Sequence, residues 1–567
     1  MYIDIIPNRK SPPAILLRES TRQGKKTIKR TIANLSSLSI AQAESIRRIL
    51  KGEKLVKPEE HFAILRSPAH GHVDAVLTTI RRLGLDKLIG SRRSKERDLV
   101  VAMIASRILC PQSKLALTRD WGNTTLGEQL GIEEAGEEAL YAAMDWLHER
   151  QDAIEKRLAT RHLQEGGQVL YDLSSSYFEG KKCPLAKRGY SRDQKKGKLQ
   201  VNYGLLTDDR GCPVSISAFP GNTTDPKTLM PQVERLRDAF NLKSVVLVGD
   251  RGMISQKQID ELKGQAGMEW ITALKTGAIR KLMDAQAIQL TLFDESNLFE
   301  LTHPDFPGEK LVACRNPELA YRRKHKRDDL LKATSEELEK VQGMIERGYL
   351  KDAEKIGVRI GKVINRYKMA KHFKLEITEN QFDFEIDQEK VSAEAALDGI
   401  YVIRTSLEEE LSAADAVRHY KALSQIERAF RSIKTMDLEI RPIRHYQEQR
   451  VRTHLFLCML AYYVKWHMME AWRPLLFADE EQQTKQTRDP VAPAKRSDAA
   501  AEKVWSKQLP DGSPAHSFQT LLRNLASIVR STCRSRDADA GAPTFMIDTQ
   551  LTPNQKKAFQ LLKEIKV

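Results

Sequence analysis

Short apolar runs alternate with helical segments over residues 168–275, and their order leaves few folds open. Four of the runs are rich in β-branched residues and are bounded by Gly, Pro, Asn or Asp, as strands are: QVLYDLSSSYF, LQVNYGLLTD, PVSISAFPG and SVVLVGD. A helical stretch, DPKTLMPQVERLRDAF, separates the third run from the fourth, and a second helix precedes a fifth strand, MEWITALK. The order β-β-β-α-β-α-β predicts an α/β fold built on a mixed sheet.

The periodicity of apolar residues and the composition change on both sides of this core, and these changes predict five regions. Apolar residues recur at helical spacing through much of residues 1–165, which we predict to be a mostly helical, DNA-binding N-terminal domain. Residues 166–276 and 397–475 form the sheet core, and residues 277–396 form an inserted subdomain with strand-like pieces around a highly charged helical pair. Residues 476–567 are predicted to be a linker of partly disordered composition, followed by a helical tail.

The charge balance of the chain points to a polyanionic partner. Its 567 residues carry a net charge of +16, and nucleic acid is the usual partner of so basic a protein. The same charge also fits an unrelated basic protein, because net charge informs about partners and not about fold.

Cysteine usage and hydropathy predict a cytoplasmic protein. None of the six cysteines forms a CxxC pair or stands at a zinc-like spacing from a histidine, and a disulfide framework is not expected in so long a chain. The longest apolar run, Leu455–Val464, is too short for a bilayer, which requires about 20 residues. We therefore predict a buried core helix there and no membrane partner.

Two aspartates lie where a sheet of this kind places its ligands. Asp250 ends the apolar run VVLVGD, and the carboxyl ends of strands line the ligand crevice of open α/β sheets. Asp172 lies inside the run VLYDL, where a buried carboxylate is costly unless it is paired or binds a metal. Each also has a structural explanation: Asp250 as a turn residue before Gly252, and Asp172 as a strand-edge cap for the serines that follow.

The third candidate carboxylate belongs to a segment with helical periodicity, YKALSQIERAFRSIK. At about 100° per residue, one face of this helix carries Tyr420, Leu423, Glu427, Arg431 and Lys434. The opposite face is apolar and is expected to pack on the sheet. An ordinary amphipathic helix with a solvated charged face has the same pattern.

Three carboxylates of this kind suit a site that cuts phosphodiesters. Two divalent metals about 3.5–4 Å apart activate a nucleophile and stabilise the leaving oxygen. Mg²⁺ prefers oxygen ligands and keeps several waters, so that a few carboxylates suffice. No His-rich or Cys-rich cluster in the sequence predicts a competing transition-metal site.

In these residues the sequence resembles the DDE transposases of bacterial insertion sequences, in the branch marked by a Tyr-x2-Arg-x3-Glu-x6-Lys motif. The motif here reads Tyr420-x2-Leu423-x3-Glu427-x6-Lys434, so that Leu423 replaces the family's Arg. Arg431, one turn beyond Glu427, is the candidate to replace that Arg. Three further blocks resemble the family in the same order: YDLSSSYFEG, FPGNTTDPKT and VGDRGM.

The resemblance covers roughly residues 165–470 and implies a ribonuclease H-like core with an insertion domain before the glutamate. It implies that Asp172, Asp250 and Glu427 hold two Mg²⁺ or Mn²⁺ ions, cut transposon ends and direct the freed 3′-hydroxyl to target DNA. It also implies that Tyr420 and Lys434 contact phosphates near the cleaved end. The expected partner is double-stranded DNA, bound by a homodimer on paired ends, in the cytoplasm and at the nucleoid.

A basic loop between the first two strands is predicted to contact DNA. It spans residues 181–198, and its single acidic residue is Asp193. Its eight basic residues are Lys181, Lys182, Lys187, Arg188, Arg192, Lys195, Lys196 and Lys198. A loop that follows a metal-binding strand lies beside the scissile phosphate, where its cations release counterions from DNA. A solvated loop without a partner is the alternative.

Two other functions fit the same features. A DNA-binding regulator that derives from a transposase but lacks catalysis fits the helical N-terminus, the basic charge and Leu423. A related ribonuclease H-like nuclease is the second, because a fold does not fix a function. Mg²⁺-dependent nicking of DNA that carries the element's ends separates a transposase from the regulator, and inverted repeats that flank the coding region separate it from the nuclease.

Overall fold

The computed structural model describes residues 1–9, 11–53, 62–293, 296–407, 409, 411–482, 488–536 and 541–566. The chain forms two compact units: the first combines Met1–Ala69 with Ile528–Gln550, and the second combines His70–Ser527 with Leu551–Val567. This division differs from the predicted one at residue 165, because the helices of residues 71–162 pack within the second unit.

The strands of the described residues are β1 (Tyr2–Ile6), β2 (Ala14–Gln23), β3 (Lys26–Asn34), β4 (Phe62–Arg66), β5 (Gln168–Phe178), β6 (Leu199–Thr207), β7 (Pro213–Pro220), β8 (Val245–Val248), β9 (Met268–Ala273), β10 (Leu298–Leu301), β11 (Lys310–Arg315), β12 (Phe373–Ile377), β13 (Phe382–Ile386), β14 (Ile400–Thr405), β15 (Arg530–Ser535) and β16 (Phe545–Asp548).

The α-helices of the described residues are α1 (Ile40–Leu50), α2 (Gly71–Arg82), α3 (Leu85–Ile89), α4 (Lys95–Leu109), α5 (Lys114–Arg119), α6 (Leu126–Leu130), α7 (Glu137–His148), α8 (Gln151–His162), α9 (Leu229–Glu234), α10 (Gln256–Lys263), α11 (Thr276–Asp284), α12 (Pro317–Glu346), α13 (Ala353–Tyr367), α14 (Gln388–Ala395), α15 (Ala413–Lys421), α16 (Leu423–Arg431), α17 (Glu448–Ala471), α18 (Asp498–Ser506), α19 (Phe518–Ala526) and α20 (Pro553–Lys563).

The first unit contains two small antiparallel sheets. β1, β2 and β3 form one sheet in that order, and α1 packs on it around Ile3, Ile15 and Ala43. Ser39 and Gln42 form a capping box that starts α1. The second sheet has the order β16-β15-β4. The C-terminal region predicted as a linker and a helical tail therefore also contributes two strands, and in that respect the prediction was wrong.

The second unit is built on an eight-stranded mixed sheet in the order β10-β11-β14-β9-β8-β5-β6-β7. β6 is antiparallel to both β5 and β7, whereas β8 runs parallel to both β5 and β9. The predicted order β-β-β-α-β-α-β is confirmed, and β5 has the bounds of the predicted strand QVLYDLSSSYF. The mixed α/β sheet agrees with the ribonuclease H-like core that the resemblance implies.

Burial in this unit follows from the sequence pattern of its central elements. β8 is a continuous apolar run, and all of its residues are buried, as expected for a parallel strand inside a sheet. α17 contains the predicted buried run and packs against β7, α4 and α7, so that it joins the N-terminal helices to the sheet. Among the described residues, no helix combines the length and the apolar character that crossing a bilayer requires.

The predicted insertion at residues 277–396 divides into two parts. β10 and β11 extend the main sheet, because β11 pairs with β14, and Leu311 and Val312 are fully buried there. The remainder is a subdomain in which α12 and α13 share an apolar cluster with the β12–β13 hairpin. The charged helical pair is confirmed, but the inserted part begins later in the chain than predicted.

The region predicted as a linker is held in place from residue 488 onward. Val491 is fully buried in the apolar cluster of the main sheet, and its carbonyl accepts hydrogen bonds from the side chains of Asn316 (2.9 Å) and Lys421 (3.3 Å). α18 follows it. The polar composition of this segment does not reveal its attachment, because a single apolar residue, Val491, and its backbone carbonyl fix the segment to the main sheet. Residues 483–487 of the predicted linker lie outside the described residues.

Candidate active site

Asp172 and Asp250 follow paired positions on neighbouring strands. In the parallel pair of β5 and β8, Leu170 is the partner of Val248, and each aspartate comes two residues after this pair. Neighbouring strands lie about 4.8 Å apart, and residues two apart in a strand face the same side of a sheet. The register of the sheet therefore brings the two residues to neighbouring positions at the carboxyl end of β8.

A tight turn fixes the Asp250 carboxylate. Its Oδ1 accepts hydrogen bonds from the backbone N–H of Gly252 at 3.0 Å and from that of Met253 at 2.7 Å. Asp250 itself is exposed. The structural explanation of Asp250 as a turn-forming residue is thus confirmed, and it does not compete with a role in the site, because the same turn orients the carboxylate.

The helix that carries Glu427 packs across β5. Ile426, Ala429 and Phe430 of α16 are buried and Glu427 is exposed, which confirms the predicted core face. The Phe430 ring meets the ring of Tyr203 in β6 edge-on, with 5.8 Å between the centroids. This packing holds α16 over the strand that carries the first aspartate.

The helix predicted over residues 420–434 is interrupted. α15 ends at Lys421, α16 begins at Leu423, and a π-helical turn, Ser432–Met436, follows α16. Leu423 packs with Tyr420 against the apolar cluster of the sheet. The five positions of the predicted stripe therefore do not belong to one continuous helix, and Leu423 has a core role in place of a polar one.

The three carboxylates interact electrostatically. The pKa of Asp172 rises from its ordinary value of 3.8 to about 7, chiefly through burial and also through the negative charges of Asp250 and Glu427. The backbone N–H of Leu173 donates to Asp172 Oδ1 at 2.7 Å, and this hydrogen bond lowers the pKa of Asp172. The pKa of Tyr420 rises to about 12, through burial first and then through the charges of Asp250 and Glu427. Asp172, Asp250 and Glu427 thus influence one another and Tyr420 electrostatically, but among the described residues their oxygens do not form a group within 4.8 Å of one another.

Such a cluster has the donor set of a hard divalent cation. Carboxylate oxygens are the ligands that Mg²⁺ and Mn²⁺ prefer. Like charges at short range favour either a proton or a cation among them. The raised pKa of Asp172 reflects the first of these, the uptake of a proton. A bound divalent ion would relieve the same repulsion.

Arg192 anchors the basic loop near the acidic cluster. Its positive charge lowers the pKa of Asp172, which places the guanidinium within electrostatic reach of that carboxylate. Two hydrogen bonds, of 2.6 and 2.7 Å, join the guanidinium to the Asp225 carboxylate, and the backbone N–H of Arg192 donates to Ser175 Oγ at 3.2 Å. Asp225 belongs to the block FPGNTTDPKT, which thereby acquires a structural role.

Asp193 ties the same loop to the π-helical turn after α16. Its side chain is fully buried; Lys434 Nζ lies 2.7 Å from its Oδ1, Arg441 pairs with the same oxygen, and the Tyr177 N–H donates to its Oδ2 at 3.0 Å. Lys434 also donates to Ser174 Oγ at 3.2 Å. A phosphate contact by Lys434 therefore competes with an internal ion pair.

The remaining basic residues of the loop are exposed: Lys181, Lys182, Lys187, Arg188, Lys195, Lys196 and Lys198. Arg431 on α16 is exposed as well. The exposed cations of the loop form a basic surface, and the same loop carries Arg192, whose charge lowers the pKa of Asp172.

Sequence reasoning missed three kinds of contact. It treated Asp193 as a lone acid in a basic loop, although an acid in such surroundings is a signal of internal pairing, and it gave no role to Asp225. It also did not anticipate that ligand-type atoms of His162, Cys212 and His467 lie within 4.8 Å of one another. No spacing rule reveals this cluster, because the three residues come from distant parts of the chain.

Comparison with known proteins identifies the family. The family model described as a transposase DDE domain matches residues 167–464, and the one described as the N-terminal domain of IS1634 family transposases matches residues 3–63. A cryo-EM structure of the piggyBac transposase synaptic complex with hairpin DNA aligns with 80% of this chain and 78% of that chain, at 8% identity and a TM-score of 0.35. No curated protein matches the chain. The DDE match covers more than half of the chain, and the chain therefore belongs to the DDE transposases, which are metal-dependent enzymes that cut and join DNA.

Proposed function

We propose that Asp172, Asp250 and Glu427 are the catalytic residues of this transposase and together hold two Mg²⁺ or Mn²⁺ ions. When bound, such ions would activate an attacking oxygen and stabilise the leaving oxygen at a phosphodiester. Hydrolysis at a transposon end would break the bond between phosphorus and the 3′-oxygen. The freed 3′-hydroxyl would then attack a phosphodiester of target DNA and displace the 3′-oxygen of the target strand, which leaves as a hydroxyl. The observation that carries the proposal is the register of β5 and β8, which sets Asp172 and Asp250 side by side under the helix that carries Glu427.

The chain orients its carboxylates by different means, and this bears on their roles. Asp172 is fixed by a central strand and Asp250 by the hydrogen bonds of its turn, so both are preorganised before any ligand arrives. Glu427 lies on α16, which follows a break in the helix. Glu427 is therefore the ligand that a small shift of one helix adjusts when DNA binds.

Asp172 also couples the proposed site to pH. With a pKa of about 7, its carboxyl is about half protonated at neutral pH in the absence of a cation. A cation that binds there displaces the proton, so its affinity rises as the pH rises through about 7.

DNA in this proposal lies along the exposed margin of the basic loop. Arg431 and Tyr420 contact phosphates near the cleaved end, as does Lys434 when it exchanges Asp193 for a phosphate. Each phosphate that a loop cation neutralises contributes about 0.9 to the slope of log affinity against log salt. Charge supports this path, because the basic side chains of the loop are exposed next to the strand of Asp172.

A second DNA-binding surface in the proposal is the β2–β3 hairpin of the first unit. Its register pairs Arg22 with Thr27 and Ser20 with Lys29, and these four exposed side chains share one face. A two-stranded ribbon fits the major groove of B-DNA, where hydroxyl and cationic side chains meet base edges and phosphates. The proposed DNA-binding element of the N-terminal region is thus a pair of strands in place of the predicted helices.

The proposed partner is double-stranded DNA, at the transposon ends and at the target. Because both ends of an element are cut and joined, we expect a homodimer on paired ends that acts at the nucleoid.

Cleavage of a labelled duplex that carries the element's ends, with and without Mg²⁺, tests the proposal. Asp172→Ala, Asp250→Ala and Glu427→Ala are each expected to abolish cleavage while a gel shift still shows binding. Asp209→Ala, which alters an exposed aspartate in the β6–β7 turn, is the matched control and is expected to cut like the wild type.

Two outcomes contradict the proposal in different ways. A variant among the three that still cuts removes that residue from the catalytic set. Wild-type protein that binds the ends but cuts them under no divalent ion indicates the non-catalytic regulator, which Leu423 at the motif's Arg position favours.

A further inference from the structure

Three metal-binding side chains meet inside the second unit, apart from the acidic cluster. His162 ends α8, Cys212 lies in the turn between β6 and β7, and His467 lies on α17. Cys212 is completely buried and His467 is nearly so. Three segments that are distant in sequence thus contribute two imidazoles and one thiol to a single place.

The spacing of the ligand atoms is close to that of a metal site. One ligand-type atom of each residue lies within 4.8 Å of the other two, and Cys212 Sγ is 3.8 Å from His467 Nε2. Zn²⁺ bonds of about 2.3 Å to sulfur and about 2.0–2.1 Å to nitrogen, at tetrahedral angles, separate the two atoms by about 3.6 Å. Shifts of a few tenths of an ångström are enough to close this pair around an ion.

The chemical state of the ligands also suits a metal. Burial lowers the pKa of His162 to about 4 and that of His467 to about 3, so both imidazoles are neutral near pH 7 and keep a free lone pair. Burial raises the pKa of the Cys212 thiol, and a bound ion deprotonates such a thiol outright, with the proton released to solvent. The hydroxyl of Tyr463, 3.0 Å from His162 Nε2, holds that ring in place.

Charged groups of both signs surround the cluster. The positive charges of Arg210 and Arg161 lower the pKa values of the two imidazoles. The negative charges of Asp208 and Glu470 raise the pKa of the thiol. Asp208 also neutralises Arg210 through an ion pair of 2.7 Å. The thiolate adds a further negative charge when a metal binds.

We propose that His162, Cys212 and His467 bind one Zn²⁺ ion, with a water molecule as the fourth ligand. Thiolate and imidazole ligands select zinc over magnesium, so this site differs in chemistry from the three carboxylates. The ion fastens α8, the β6–β7 turn and α17 to one another. Two of its ligands, Cys212 and His467, are buried, and all three belong to packed elements, so the proposed ion holds these elements together.

The turn that carries Cys212 also supports the helix of Glu427. Gly211, with a φ of +85°, lies so close to α16 that an added Cβ would be 2.7 Å from the Gln425 Cβ. A metal that fixes this turn therefore fixes the support of α16. This last consequence rests on the proposed function, whereas metal binding itself does not.

Metal content and Co²⁺ substitution of the full chain test the proposal. Purified protein, freed of metal and then loaded with Zn²⁺ and dialysed, is expected to retain about one ion per chain by mass spectrometry. Co²⁺ in its place is expected to give a thiolate-to-metal absorption band. Cys212→Ser should abolish both signals, whereas Cys458→Ser, a change at another completely buried cysteine, should preserve them.

Two further variants separate the proposed zinc site from the carboxylates and provide a second test if Cys212→Ser does not fold. Asp250→Asn should retain the zinc and the cobalt band while cleavage is lost, which separates this site from the carboxylates. If Cys212→Ser does not fold, His162→Gln is used, and loss of the band with an unchanged circular dichroism spectrum supports the site. Wild-type protein without a thiolate band, or a band that survives Cys212→Ser, overturns the proposal and leaves a hydrogen-bonded cluster of Cys, His and Tyr.

Discussion

Without a metal, Asp172→Asn is expected to stabilise the protein at alkaline pH. The raised pKa means that folded Asp172 keeps a proton that the unfolded chain releases between about pH 4 and pH 7. The stability of the folded state therefore falls as the pH rises through that window, by up to about 1.4 kcal/mol per pH unit. A rise from 3.8 to about 7 amounts to a penalty of about 4 kcal/mol above neutral pH, which the neutral amide of Asn avoids.

Thermal unfolding in EDTA, followed at about pH 5 and about pH 8, measures this effect. The advantage of Asp172→Asn over the wild type is expected to grow by about 3 kcal/mol between the two conditions. Mg²⁺ should narrow or reverse the difference, because only the wild-type cluster binds it well. Asp209→Asn, at an exposed position, should show no such change. An equal pH dependence of wild type and Asp172→Asn would refute the electrostatic coupling of the cluster.

Three further predictions concern the surroundings of the site. Asp193→Asn leaves two cations without their buried partner, and because breaking a buried pair costs about 3–5 kcal/mol, we expect a clearly lower Tm; an unchanged Tm excludes the anchoring role. Gly211→Ala strains a left-handed residue and crowds Gln425, so we expect a loss of about 1–3 kcal/mol in chemical denaturation, with slower cleavage. Arg22→Gln combined with Lys29→Gln should weaken binding to end DNA and lower the salt slope by about 2, as measured by fluorescence anisotropy.

Matched controls exist for these variants. Asp209→Asn removes an exposed acid, and Gly122→Ala adds a Cβ to open space. Lys26→Gln combined with Arg30→Gln removes the same charge from the other face of the β2–β3 hairpin, and its binding should change less. Equal losses of affinity in the two hairpin variants would indicate a general charge effect in place of a DNA-binding face.

The central sheet could be predicted because its signals are local. The apolar run before Asp250 predicts a buried parallel strand, and the structure has β8 there. The bounds of β5 also follow from its β-branched and apolar residues, ended by Gly180. The buried face of α16 was predictable for a similar reason, since Ile426 and Phe430 recur at helical spacing.

Features that depend on distant contacts could not be predicted. β4 and β15 pair across almost the whole length of the chain, and no local pattern encodes such a partner. The interruption at Ala422 has no counterpart in the local sequence pattern, which stays helical from Tyr420 to Lys434. The ion pair of Asp193 with Lys434 likewise joins two segments whose sequences read separately as a loop and a helix.

A structure of the full chain with Mn²⁺ and end DNA decides the role of the carboxylates. Anomalous scattering is expected to locate manganese at coordination distance, about 2 Å, from oxygens of Asp172, Asp250 and Glu427, beside the phosphate to be cut. Manganese bound elsewhere, or a Glu427 side chain that stays beyond reach of the ions when DNA is bound, would contradict the proposed active site.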